Sequence, residues 1–63
     1  MTPADLKAAR ARMGFTQQVL AARLGVSRRT VVRYETGGRS VPGPVAGLIE
    51  LLLLASPAVN RPG

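Results

Sequence analysis

The sequence predicts a small all-α domain, a bundle of four or five helices that occupies residues 1–55. Its apolar residues recur at the i, i+3, i+4 and i+7 spacing of a helix face, without the alternation typical of strands. Serine or threonine precedes three of these apolar segments, and glycine or proline follows each segment. A length of 63 residues suffices for one domain with one small core.

The first helix is predicted from Pro3 to about Met13. Thr2 precedes it as an N-cap, and the charge of Asp5 is favourable at the positive end of the helix dipole. Gly14 can adopt the left-handed conformation that closes a helix. One apolar stripe is expected to face the core, and it consists of Leu6, Ala9 and Met13.

Two short helices are predicted next, over residues 17–24 and 28–35. In both, an apolar residue before the cap can pair with one at the fourth helical position, as in a hydrophobic staple. The caps are Thr16 and Ser27, and the staples are Phe15 with Leu20 and Val26 with Val31. Because only about three residues around Gly25 join them, the two helices must cross steeply in a helix-turn-helix. The small side chain of Ala21 permits this close crossing.

A loop rich in glycine and proline precedes the fourth helix, which is predicted from Pro44 to about Ala55. Its expected core stripe is Val45, Leu48, Ile49 and Leu52. Three further leucines exceed this stripe and form a candidate homodimer interface; they are Leu51, Leu53 and Leu54. The alternatives are a more completely buried helix and an interfacial membrane helix, but the polar arc lacks the basic residues of the latter. Residues 56–63 are predicted to be a flexible tail.

Composition favours a binding protein over an enzyme. Nine lysines and arginines against three acids give a formal charge of +6, which points to a polyanionic partner. Cysteine and histidine are absent, and the three carboxylates are not spaced as an acid/base pair. We therefore expect no catalysis, no cofactor and no metal. The length leaves no room for a sensor domain, so no small-molecule effector is expected.

The third helix is predicted to have a core face and an arginine face. At about 100° per residue, Val31 and Tyr34 lie within about 60° of each other. The opposite arc carries Arg28, Arg29, Val32 and Arg33. Arginine can donate two parallel hydrogen bonds to guanine O6 and N7, and valine can contact a thymine methyl. The alternative is a merely solvated charged surface, although the caps and the Gly25 turn together favour base contact.

These features resemble the helix-turn-helix of the phage repressor and Cro family, also called the XRE type. The family pattern TQ-x-x-LA-x-x-LGVS-x-x-T-[apolar]-x-x-[aromatic]-E matches residues 16–35, and the resemblance covers about residues 5–54. It implies a lambda-repressor-like bundle that binds double-stranded DNA, with base contacts from Arg28, Arg29 and Arg33. The expected function is transcriptional repression by a dimer bound to a palindromic operator. The protein's own promoter is one expected target.

The resemblance also implies phosphate contacts and one structural pair. Gln17 and Thr30 match phosphate-contacting positions, and further phosphate candidates are Ser27, Thr36 and Arg39. Thr36 stands where relatives often have asparagine, and Arg39 is the alternative donor in that loop. Arg10 and Glu35 match a family pair that links the first helix to the end of the third. Val19 stands where relatives usually have glutamate, so the second helix lacks a capping box.

Two expectations concern the setting of the protein. The apolar run 51–55 is short and follows Glu50, so neither a cleavable signal nor a membrane span is expected. We expect a cytoplasmic, nucleoid-associated protein encoded by a bacterium or a phage. The alternative function is a protein-interaction module, such as an antitoxin or a phage accessory factor, whose partner binds the leucine-rich helix 44–55.

Overall fold

The structure is a computed structural model that describes residues 1–55. This part of the chain contains four helices. They are α1 (Pro3–Met13), α2 (Gln17–Leu24), α3 (Arg28–Thr36) and α4 (Gly43–Ala55). The prediction of an all-α bundle is confirmed, and α3 extends one residue beyond its predicted end. The predicted tail, residues 56–63, lies outside the described residues.

Side-chain caps define the start of α1. The Thr2 hydroxyl accepts a hydrogen bond from the Asp5 backbone N–H at 3.1 Å, and the Thr2 N–H donates to an Asp5 carboxylate oxygen at 3.3 Å. This reciprocal capping box satisfies two backbone donors that the helix itself leaves unpaired. Gly14 follows the last residue of α1 in the left-handed conformation, with a φ of 71°.

The core receives one completely buried side chain from each helix. Leu6, Leu20, Val31 and Ile49 are all 0% exposed. The other buried residues are Ala9, Met13, Ala21 and Tyr34. Helix α1 packs against α3 and α4, and α2 packs against α3 and α4. The predicted core faces of the first three helices therefore converge on one cluster.

Helix α4 begins at Gly43, one residue before the predicted start at Pro44. The Ala46 N–H donates to the Pro42 carbonyl at 2.9 Å, which makes Pro42 the residue that precedes the helix. Pro44 is consequently the second helical residue. Proline is tolerated there because N–H groups of the first turn have no acceptor within the helix.

The predicted core stripe of α4 is wrong at Leu48. Leu48 is 37% exposed, whereas Leu53 is half-buried against the core. The observed inward residues are Val45, Ile49, Leu52 and Leu53. They have the spacing i, i+4, i+7 and i+8, so α4 is rotated about its axis relative to the prediction. Because leucine occupies most of its circumference, the apolar pattern alone did not select a face.

Candidate nucleic-acid interface

Helix α3 buries one side and exposes three arginines on the other. Val31 and Tyr34 are only 0% and 2% exposed, so the orientation of the helix is fixed by the core. The exposed arginines are Arg28, Arg29 and Arg33. Val32, which was predicted to share their face, is half-buried. The core contacts thus hold three guanidinium groups on the protein surface.

The first turn of α3 carries positive charge where a helix disfavours it. The Ser27 hydroxyl caps the helix by accepting the Thr30 N–H at 3.2 Å, and Arg28 and Arg29 follow it. Neither α2 nor α3 has an acid in its first turn, in contrast to Asp5 in α1. Cations near a helix N-terminus oppose the helix dipole. An anion bound at this end would reverse that unfavourable interaction.

The turn between α2 and α3 depends on glycine. Gly25 has a φ of 74°, and the next N–H, of Val26, donates to the Ala21 carbonyl at 3.0 Å. Ala21 is 1% exposed, as expected where two helices cross closely. The left-handed conformation is costly for residues with a Cβ atom, which accounts for glycine at this position.

Carboxylates are kept away from the arginine surface. Asp5 and Glu50 line a groove of about 470 Å³ between α1 and α4, which also includes Arg12 but none of the arginines of α3. The remaining acid, Glu35, has a side chain that is only 4% exposed. The exposed surface of α2 and α3 therefore carries arginine charge without neighbouring exposed acids, as a polyanion-binding surface requires.

A family model described as helix-turn-helix matches residues 6–58, which is most of the chain. The chain belongs to the XRE-type helix-turn-helix family. This is a family of DNA-binding transcription regulators. Comparisons with curated proteins and with solved structures returned no match.

Arg10 and Glu35, the pair suggested by the helix-turn-helix pattern, lie in contact. Arg10 Nε donates to Glu35 Oε2, and Arg10 Nη2 donates to Glu35 Oε1 at 3.2 Å. Burial would raise the pKa of Glu35, but hydrogen bonds from Arg10 and Gln17 and the charges of Arg10 and Lys7 outweigh it. The pKa of Glu35 therefore lies below its usual range.

The helix-turn-helix phosphate candidates differ in how free their polar groups are. Ser27 and Thr30 are joined by a hydroxyl–hydroxyl hydrogen bond of 3.0 Å. Thr36 donates its hydroxyl to the Arg33 carbonyl at 3.3 Å, so in this conformation it can only accept from a ligand. Arg39 is exposed in the loop between α3 and α4. Gln17 is half-buried and donates its amide to Glu35 Oε1 at 3.2 Å.

Two contacts of the α2 segment were not predicted from the sequence. The first is the hydrogen bond from Gln17 to Glu35. The second is the stacking of Arg23 on Phe15, with the guanidinium carbon 5.5 Å from the ring centroid. No local spacing signals either contact, because Gln17 and Glu35 lie on different helices and Phe15 lies outside α2, which carries Arg23.

Two further findings concern membranes and metal ions. Within residues 1–55, no helix has the length and hydropathy needed to cross a bilayer. In the same part of the chain, no three histidine, cysteine or acidic residues are grouped to hold a metal ion.

Proposed function

We propose that this protein is a sequence-specific transcriptional repressor that inserts α3 into the major groove of a palindromic operator as a homodimer. The observation that carries the proposal is the arrangement of α3. Val31 and Tyr34 anchor one side of the helix in the core, and the other side exposes three arginines. A major groove about 12 Å wide accommodates such a helix.

Base recognition is assigned to Arg28, Arg29 and Arg33, with an apolar contribution from Val32. A guanidinium is planar and can donate two parallel hydrogen bonds to guanine, which distinguishes this base from the other three. Because Val32 is half-buried, it retains some exposed surface for a thymine methyl. Base specificity is therefore expected to come chiefly from the arginines.

Phosphate contacts are assigned to Gln17, Ser27, Thr30, Thr36 and Arg39. Gln17 is the first residue of α2 and Ser27 caps α3, so both stand at helix amino ends, where backbone N–H groups attract anions. Of the five, Arg39 alone brings a positive charge. Thr36 is the weakest candidate, because its hydroxyl proton is already donated to the Arg33 carbonyl.

Homodimerisation is assigned to the exposed leucines of α4. Leu51 is 63% and Leu54 is 85% exposed, and Leu48 extends this surface at 37%. Leu53, half-buried against the core of its own chain, can contribute only its exposed part. A two-fold dimer would place two copies of α3 about 34 Å apart, which is one turn of duplex and defines a palindromic site.

Repression then follows from occlusion of a promoter, including the protein's own. Occupancy follows protein concentration, without a small-molecule effector. Because the proposed partner is DNA, we place the protein on the nucleoid in the cytoplasm of a bacterium, as a bacterial or phage-encoded product. No catalytic activity is proposed.

The proposal is tested by selection from random duplex DNA, followed by binding measurements on the selected site. We expect a palindromic sequence to be enriched. If the dimer neutralises six to ten phosphates, its affinity should fall by about 10³- to 10⁵-fold between about 50 and 200 mM salt. In vitro transcription from a promoter that contains the site should decrease. Absence of binding to any duplex at low salt would contradict the proposal.

A second candidate function is favoured by the same exposed leucines. Leu54, at 85% exposure, could instead bind a different protein, as in an antitoxin or a phage accessory factor. DNA binding and such an interaction are compatible. Self-association of the purified chain distinguishes the two assignments of the leucine surface.

A further inference from the structure

Glu35 joins three helices at one edge of the DNA-binding surface. Its Oε1 accepts hydrogen bonds from Arg10 Nη2 and from Gln17 Nε2, each at 3.2 Å. Arg10 also donates through Nη1 to the Phe15 carbonyl at 3.0 Å, just before the Thr16 cap of α2. The last turn of α3, the first residue of α2 and the last turn of α1 are thus connected through one carboxylate.

This connection fixes which end of the Gln17 amide faces Glu35. A carboxylate can only accept hydrogen bonds, so the amide nitrogen must face it and the amide oxygen must turn away. The nitrogen carries a second N–H, which remains available for another acceptor. At the amino end of α2, backbone N–H groups also point away from the helix. Gln17 is therefore held as a donor at a place suited to an anion.

We infer that Glu35 is a positioning residue for DNA binding, which holds the Gln17 amide N–H ready for a phosphate and fixes the amino end of α2 relative to α3. The inference rests on the proposed function. Without the carboxylate, Gln17 would gain rotational freedom and could present its oxygen, which repels a phosphate. Ordering the side chain before binding avoids an entropy cost during association.

A purely structural role for Glu35 makes a different prediction. If the carboxylate only balances the charge of Arg10 and stabilises the domain, its loss should affect DNA affinity independently of Gln17. The two roles are separated by a double-mutant cycle, in which residues that act through one another have non-additive effects.

The cycle combines Gln17→Ala with the removal of the ion pair by the apolar replacement Arg10→Met/Glu35→Leu. An apolar pair avoids a buried uncompensated charge and is often tolerated. Affinities for the selected duplex are measured by fluorescence anisotropy, with folding checked by circular dichroism. If this apolar pair does not fold, the cycle is repeated with Arg10→Leu/Glu35→Met, a second apolar pair that also removes the acceptor for the Gln17 amide. The matched control is Gln18→Ala, because Gln18 is exposed on the same turn of α2.

We expect Gln17→Ala to weaken binding about tenfold per half-site in the natural background, as for loss of a hydrogen bond to a charged group. In the variants that lack the Arg10–Glu35 ion pair, Gln17→Ala should weaken DNA binding by less than about twofold. The dependence on salt should remain unchanged, because Gln17 is neutral and releases no counterion. Gln18→Ala should have the same small effect in every background.

The inference would be overturned if Gln17→Ala weakened DNA binding by the same factor in all backgrounds. It would also be overturned if Gln17→Ala had no effect on DNA binding. A reduced salt dependence of DNA binding in the variants that lack the ion pair would also overturn the inference, because ionic contacts with DNA would then have been lost. These outcomes leave the proposed function intact. Failure of the natural protein to bind any duplex would overturn both proposals.

Discussion

The Glu35 carboxylate and the Arg10 guanidinium form a two-point ion pair between α3 and α1, with 4% and 18% of their side chains exposed. Removing one partner leaves a largely buried charge uncompensated. We predict that Glu35→Ala lowers the free energy of unfolding by about 3 kcal/mol. Glu50→Ala, which removes an exposed carboxylate, should change it by less than about 0.5 kcal/mol. Urea unfolding measures both values, and equal effects would contradict the prediction.

The stability of the domain should decrease in acid through Glu35. Its pKa is lowered in the folded state by Arg10 and Gln17, against the effect of burial. Such a group contributes stability above its unfolded pKa of about 4.3, and the contribution is lost as the pH falls through the lower folded pKa. Between about pH 6 and pH 3 the natural protein should therefore lose more stability than Glu35→Gln. Glu50→Gln, the control, should follow the natural protein.

Base preference should depend on single arginines of α3. We expect Arg29→Ala or Arg33→Ala to relax preference at one position of each half-site, at a cost of about 1 to 3 kcal/mol. Repeating the selection with each variant measures this change. Arg12→Ala is the control, because Arg12 lines the groove between α1 and α4. If a variant weakened binding to all sequences equally, the arginine would be a phosphate contact instead.

The turn at Gly25 should be sensitive to backbone conformation alone. A Cβ atom at Gly25 meets nothing within 4 Å, but the φ of 74° is unfavourable for alanine. We predict that Gly25→Ala destabilises the domain by about 1 to 2 kcal/mol. Gly47→Ala has equal space and no positive φ, and it should stabilise α4 by up to about 1 kcal/mol. Thermal melts of both variants test this prediction. The melting temperature should fall for Gly25→Ala and rise for Gly47→Ala, and changes of the same sign would contradict the prediction.

Self-association should depend on the leucines of α4. Sedimentation at micromolar concentrations is expected to show a dimer, and Leu54→Glu should shift it toward monomer because Leu54 is 85% exposed. Gln18→Glu introduces the same charge on α2 and should leave the dimer intact. A natural protein that remained monomeric at all concentrations would favour a different protein partner for this surface.

The sequence sufficed for the features that depend on neighbours within about one helical turn. The caps Thr16 and Ser27 bond N–H groups three residues ahead, and Gly14 and Gly25 end their helices as predicted. The two faces of α3 were also predictable, since its apolar and charged residues separate by helical geometry. Local chemistry thus determined the helix-turn-helix almost completely.

Apart from the Arg10–Glu35 pair, which the family resemblance implied, side-chain contacts set by packing between helices could not be predicted from local spacing. The hydrogen bond from Gln17 to Glu35 spans 18 residues, and its existence depends on how α2 and α3 cross. Helix α4 has leucine on several sides, so the exchange of Leu48 for Leu53 at the core could not be anticipated from spacing. Its rotation is selected by the shape of the surface that the other helices present.

Each helix contributes one completely buried side chain to the core, so the domain is expected to fold only when all four helices are present. Helices α2 and α3 have eight and nine residues, fewer than the roughly 12 to 15 that an isolated helix needs in water. A synthetic peptide of residues 16–36 would lack Leu6 and Ile49, which complete the core around Leu20 and Val31, and would lose its helical shape. Transplanting this DNA-binding surface into another protein therefore requires α1 and α4 as well, although neither carries a proposed base contact.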